Sequence, residues 1–125
     1  MLPLDIEITS CSPMIRYDSR SATLFISGES YPENSFEFYE PVMNWLQESL
    51  ADLPSLLLDI NVSYMNSSST KCMLDLLDLM EEASQGGKSV SARWRYDPEN
   101  SRALELAEEF LEEVTFPFSI EPSEG

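Results

Sequence analysis

The chain has 125 residues, 23 acidic and 7 basic, no histidine and a formal charge of −16. Its length fits one domain, and a 42% apolar share supplies a core, which excludes a disordered chain. The charge excludes nucleic-acid binding through clustered Lys and Arg, and works against anionic membrane surfaces. The missing histidines exclude Ser-His-Asp and Cys-His nucleophile systems in their usual form, together with His-ligated metals.

Cys11 and Cys72 stand far apart in no CxxC spacing, which reads as two free thiols in a reducing cytosol. The opening MLPLDIEITS lacks the basic-then-apolar pattern of a signal peptide. No apolar run approaches the ~20 residues that cross a bilayer. The expectation is a soluble, cytoplasmic domain over 1–125, needing no cofactor or metal and monomeric when free.

In chain order, residues 4–8 alternate weakly and 14–18 suit a short strand. Thr23 to Ser27 reads as a strand ended by a turn at Gly28. Residues 35–50 place Phe36, Tyr39, Val42, Met43, Leu46 and Leu50 near helical spacing. Because proline suits only a first turn, Pro41 sets the expected start of regular helix near Tyr39 or Glu40, with a turn over 34–38. The run 55–62 reads as a buried central strand of a parallel sheet. Residues 67–84 carry Met73, Leu76, Leu77, Met80 and Ala83 on one face and stop at Gly86-Gly87, a second helix.

Residues 89–96 alternate as a strand, with Val90, Ala92, Trp94 and Tyr96 on one side and Ser91, Arg93 and Arg95 on the other. Asp97-Pro98 opens a third helix carrying Ala103, Leu106, Ala107, Phe110 and Val114, its other face lined with glutamates. Residues 116–120 read as an edge strand because of Pro117. Strands and helices in this order predict an α/β fold with βαβ crossovers, a mixed sheet flanked by about three helices.

The segment Asp59-Ile60-Asn61-Val62-Ser63-Tyr64-Met65-Asn66-Ser67-Ser68-Ser69-Thr70-Lys71 runs from the central strand through a polar turn into the second helix. Capping by Asn66 or Ser67 accounts for one of these side chains. Four consecutive hydroxyls exceed what capping requires, and a phosphoryl group on one would place about −1.5 to −2 charge at the helix start. Ser30 and Glu33 have the spacing of a capping box, a better reading than Glu29 and Glu33 as two isolated metal ligands. Lys88, Arg93 and Arg95 form the one dense basic spot, suited to an acidic partner or to local charge balance. No acidic pair stands out for hydrolytic chemistry.

Taken jointly, several stretches resemble the SiaC-type bacterial regulatory phosphoproteins. They are Ser30-Tyr31-Pro32-Glu33-Asn34-Ser35, Tyr64-Met65-Asn66-Ser67-Ser68, Leu74-Asp75-Leu76-Leu77-Asp78-Leu79, Glu81-Glu82-Ala83 and Gln85-Gly86-Gly87. Trp94-Arg95-Tyr96-Asp97, Glu105-Leu106-Ala107-Glu108-Glu109-Phe110 and Phe116-Pro117-Phe118 extend the likeness, which covers 24–120. The resemblance implies a fold like the STAS domain of anti-sigma-factor antagonists and a non-enzymatic switch. It further implies a GHKL-type kinase, a PP2C-type phosphatase, and a GGDEF diguanylate cyclase activated by the unphosphorylated form, which raises cyclic di-GMP and favours biofilm.

The family's phosphoacceptor follows the Asn of the Tyr-x-Asn motif, which falls on Ser67, with Ser68 the second choice. Tyr31, Pro32, Glu33, Asn34, Ser35, Tyr64, Asn66, Ser68 and Lys71 are the expected partner-binding residues. STAS antagonists place their acceptor in an Asp-Ser-Ser-Gly turn. Here Asn66 and Ser69 replace the Asp and the Gly, which makes an anti-sigma-factor antagonist the alternative reading. Thr70 stands where the family carries an apolar residue, adding a competing hydroxyl.

Overall fold

Period-two patterning decides the layout of the computed structural model, which describes residues 4–123. Strands β1 (Asp5–Ile6), β2 (Met14–Asp18), β3 (Thr23–Ser30), β4 (Ser55–Met65), β5 (Ser89–Tyr96) and β6 (Phe118–Pro122) lie side by side in chain order. β1 to β3 form an antiparallel meander, and β3 to β6 run parallel. The parallel connections carry α1 (Ser35–Asp52), α2 (Ser67–Gln85) and α3 (Ser101–Glu112). Among the described residues the fold is α/β, a mixed six-stranded sheet with three helices, as the element order predicts. No helix among the described residues is long and apolar enough to cross a membrane.

One register row crosses all six strands through Ile6, Ile15, Ile26, Ile60, Trp94 and Ile120. This face meets the helices. Tyr17, two residues from Ile15, packs its ring 4.8 Å from Trp45 of α1, and Trp94 lies 5.3 Å from Phe110 of α3. Val42, Leu46, Met73, Leu76 and Met80 complete the core from α1 and α2. Each such side chain taken from water contributes about 1.5–3 kcal/mol. The adjacent row, Asp5, Arg16, Phe25, Asp59, Arg93 and Ser119, points away from the helices. On that face Arg93 and Arg95 grip Asp59, with Arg93 Nη2 at 2.6 Å and Arg95 Nε at 2.9 Å.

Several boundaries differ from the patterning. α1 is continuous from Ser35, with Asn34 as its N-cap and Pro41 inside it. Pro41 faces solvent, so water is free to satisfy the Glu37 carbonyl that its missing N–H abandons. β3 does not end at Gly28 but continues to Ser30 through a bulge between Gly28 and Glu29. Gly28 has φ +127°, and a Cβ there would lie 2.9 Å from Ile8 Cδ1, so the bulge requires glycine. α3 starts after its Asn100 cap and not at Pro98, because residues 97–100 form a turn closed by Asn100 N donating to Asp97 O. β4 runs on to Met65, and β6 begins only at Phe118, with Phe116 buried in the preceding loop.

The basic spot is used internally. Beyond the two arginines on Asp59, Lys88 Nζ donates to the carbonyls of Leu53 at 2.9 Å and Ala51 at 3.3 Å. α1 has no basic residue in its own last turn, so Lys88 supplies the cation its C-terminus favours. Lys88→Met, which keeps the stem and removes the ammonium, is expected to cost about 1–2 kcal/mol in urea unfolding. An unchanged midpoint would show that water caps α1 equally well.

Candidate functional site

β3 and β4 are parallel neighbours, so their carboxyl ends lie together and the helices that follow begin side by side. Asn66 N donates to Ser30 O at 2.9 Å, which joins the two strand ends. Each helix is capped by an asparagine: Asn34 accepts from Glu37 N, and Asn66 accepts from Ser69 N at 2.8 Å. Two positive helix ends therefore adjoin in a strongly acidic protein.

Between them lies a chain of hydroxyls whose direction follows from counting protons. Ser30 donates to Ser69 Oγ at 2.8 Å, so Tyr39, 2.7 Å away, must donate to Ser30. Ser35 donates to Asn66 Oδ1 at 3.4 Å, so Ser69, 3.1 Å from Ser35, must donate to Ser35. Ser68 also donates to Ser35 Oγ, at 2.8 Å. The order is Tyr39 to Ser30 to Ser69 to Ser35 to Asn66, with every donor used. Ser30, Ser35, Tyr39 and Ser69 are all at most 2% exposed, so in this dry setting the bonds reinforce one another.

This network separates hydroxyls that sequence spacing left equivalent. Ser69 is buried, Ser68 is half-buried and bonded to Ser35, and Thr70 Oγ1 donates to Asn66 O at 3.0 Å. Ser67 is exposed, and its hydroxyl has no hydrogen-bond partner among the described residues. One turn further along α2, Lys71 is exposed and paired with Asp75 at 2.6 Å, a bond that raises its pKa.

Exposed apolar side chains stand at the same end of the sheet. Tyr31 and Tyr64 stack edge to face at 5.8 Å, and the Tyr31 hydroxyl donates to Ser10 O at 2.8 Å. Phe36 in the first turn of α1 and Ile8 beside Gly28 are each 58% exposed. Of the five large apolar side chains exposed among the described residues, only Leu111 lies elsewhere. A cluster of this kind, rimmed by Glu29, Glu33 and Glu37, is how docking surfaces look.

Of the expected partner-binding residues, Tyr31, Glu33, Asn34, Tyr64 and Lys71 are exposed, and Pro32, Asn66 and Ser68 are half-buried. Ser35 is a correction: it is 2% exposed and turns inward to the hydroxyl chain, so its side chain offers nothing to a partner. Ser30 is no helix cap either, being the buried last residue of β3. Among the described residues no group of three or more Cys, Asp or Glu is arranged to hold a metal.

Phe36 was placed with the core by its spacing from Tyr39, yet the buried stripe runs through Ser35, Tyr39, Val42, Leu46 and Ser49. Two serines on the inner face were the available signal. Ile8 and Tyr39 carry no sequence signal as site or network residues, since only the fold brings Gly28 to the first and Ser30 to the second.

Residues 6–123 match the SiaC family of regulatory phosphoproteins. The chain belongs to the SiaC family. It is 48% identical over 122 residues to an uncharacterized protein of Pseudomonas aeruginosa strain UCBPP-PA14, covering 97% of each sequence. The crystal structure of apo-SiaC from Pseudomonas aeruginosa is similar with a TM-score of 0.91 and 48% identity, over 97% of this chain and 99% of that one. A crystal structure of the diguanylate cyclase SiaD in complex with its activator SiaC, from the same organism, gives 0.91 and 48% over 96% and 99%. The SiaC family is regulatory, and this member is not an enzyme.

The buried Tyr39 phenol of this SiaC-family protein makes its stability sensitive to alkali. Burial pushes the Tyr39 phenol from 10.0 up to about 12, with the Ser30 hydrogen bond working the other way. Above pH 10 the unfolded chain ionises this group while the fold keeps it protonated, so the native state binds more protons. Stability is therefore complete below about pH 10 and declines until about pH 12, by about 2–3 kcal/mol. Urea unfolding at about pH 8 and about pH 11.5 checks this: Tyr39→Phe should lose less stability between the two than the parent.

Proposed function

We propose that the protein is a phosphorylation-controlled activator of a diguanylate cyclase. Unmodified, it docks a GGDEF cyclase at the end of the sheet around Tyr31, Phe36 and Tyr64, raising cyclic di-GMP and favouring biofilm. A GHKL-type kinase phosphorylates Ser67 and a PP2C-type phosphatase reverses it. The free protein acts in the cytoplasm as a monomer. The observation that carries this reading is Ser67 itself, the exposed and unbonded hydroxyl of the run, at a helix start with exposed aromatic side chains at the ends of β3 and β4 and the start of α1. SiaC of Pseudomonas aeruginosa, 48% identical, has been crystallised as the activator of a diguanylate cyclase, which supports the choice of partner.

A phosphoryl group at the start of α2 is favoured by the helix dipole, so the fold accepts it. The same charge lies where a partner must strip water from Tyr31, Tyr64 and Phe36, so release comes from repulsion and desolvation without refolding. Asn34, Glu33, Pro32 and the backbone of the Asn66–Ser68 turn form the rest of the docking surface. Lys71 stands one turn from Ser67 and from Asp75, within reach of either anion.

The test is capture from lysate of the native host with the unmodified protein and the Ser67 phosphoprotein as baits, after mapping the native phosphosite by mass spectrometry. A GGDEF protein on the first bait and absent from the second is the expected result. Identical catches, or phosphate confined to another residue, would overturn it.

A further inference from the structure

We infer that Ser35 determines which hydroxyl is phosphorylated, by holding Ser68 and Ser69 in a donating bond and leaving Ser67 free. This rests on the reading of the Ser67–Thr70 run as the phosphoacceptor segment. Phosphoryl transfer forms a bond from serine Oγ to the γ-phosphorus of a nucleoside triphosphate as the bond to the leaving diphosphate breaks. The serine proton passes to a base on the kinase. A hydroxyl whose proton is already committed to a buried acceptor must break that bond before it presents the proton to such a base.

Ser68 is in that position. It donates to Ser35 Oγ at 2.8 Å and leans on Asn66 Oδ1 at 3.3 Å. Ser69 is fully buried, fed by Ser30 and discharging to Ser35. Both bonds end on one oxygen, which comes from α1, more than thirty residues away in sequence. Thr70 is held by the α2 backbone instead, at Asn66 O, and is untouched by Ser35. The fold therefore makes the choice of site before a kinase arrives, and the kinase needs no side-chain readout to tell Ser67 from its neighbour.

Removing the acceptor leaves Ser68, the half-buried member, with only its longer bond to Asn66 Oδ1 at 3.3 Å, while Ser69 stays enclosed. Loss of one net hydrogen bond raises the share of unbonded Ser68 hydroxyl by about fivefold to tenfold. The test expresses wild type, Ser35→Ala, Ser67→Ala and the Ser35→Ala/Ser67→Ala pair in the native host and maps phosphate by mass spectrometry. Amide NMR spectra verify folding. Should Ser35→Ala fail to fold, Ser35→Cys keeps the shape with a weaker acceptor and serves in both backgrounds.

Wild type is expected to carry phosphate on Ser67, Ser67→Ala to carry none, and the Ser35 variants to gain it on Ser68, including in the Ser67→Ala background. Folded Ser35 variants with phosphate on Ser67 alone, and none when Ser67 is also removed, would overturn this inference and leave the proposed function standing. Wild type with phosphate only outside the Ser67–Thr70 run would overturn both.

Discussion

Protein phosphorylated on Ser67 is expected to bind its diguanylate cyclase about 100-fold more weakly than the unmodified chain, a loss of about 3 kcal/mol. The size follows from placing about two negative charges inside a contact area, where like-charge juxtaposition and incomplete desolvation cost several kcal/mol. Ser67→Ala should bind like wild type and resist modification, because the Ser67 hydroxyl has no partner to lose among the described residues. Ser67→Asp, with a single charge on a shorter arm, should fall between the two. Isothermal titration at low and high salt separates causes. A penalty from desolvation within the contact persists in salt, whereas long-range repulsion by a net charge of −16 shrinks with the Debye length. Equal affinities for phosphorylated and unmodified protein would place the docking surface elsewhere.

The second large effect concerns the face of the sheet turned away from the helices. Asp59 is 1% exposed and is covered by the two guanidiniums that bind it, which are themselves 38% and 37% exposed. The arrangement is asymmetric. Asp59→Ala leaves two arginines that rehydrate at little cost. Arg93→Met/Arg95→Met leaves a buried carboxylate without a cation, expected to cost about 3–5 kcal/mol. Replacing all three, with Asp59→Leu added, should recover most of that loss, since apolar groups of similar volume substitute well for a buried ion cluster. Urea unfolding of the three variants decides it. If the double arginine variant unfolded within about 1 kcal/mol of wild type, the arginines would not be what makes Asp59 tolerable.

Much of this was legible in order along the chain. Alternation in Ser89–Tyr96 placed Trp94 inward and Arg93 and Arg95 outward, as the register has it. The apolar run from Ser55 to Val62 proved to be a central strand, parallel to both neighbours. Asn66 and the Gly86-Gly87 pair marked the ends of α2. What patterning mistook was mostly local conformation governed by solvent. Pro41 sits well inside α1 because the abandoned carbonyl lies on an exposed side, a fact that no proline rule contains. Gly28 marked a bulge and not a turn, because β3 had a parallel neighbour to continue along.

By itself, then, the sequence determined the α/β class, the order of its elements and the inner face of β5, since period and spacing are properties of neighbouring residues, while its joint motifs carried the resemblance to a regulatory family. Only the tertiary structure decided which of four consecutive hydroxyls is free, that Ser35 serves the interior while Phe36 faces outward, and that Asp59 belongs to two arginines. Those outcomes depend on hydrogen bonds and exposure set between segments more than thirty residues apart, such as Ser35 with Ser68 and Asp59 with Arg93. A partner that distant leaves no periodic trace in the chain, because nothing short of strand register and helix packing brings the two groups within bonding distance.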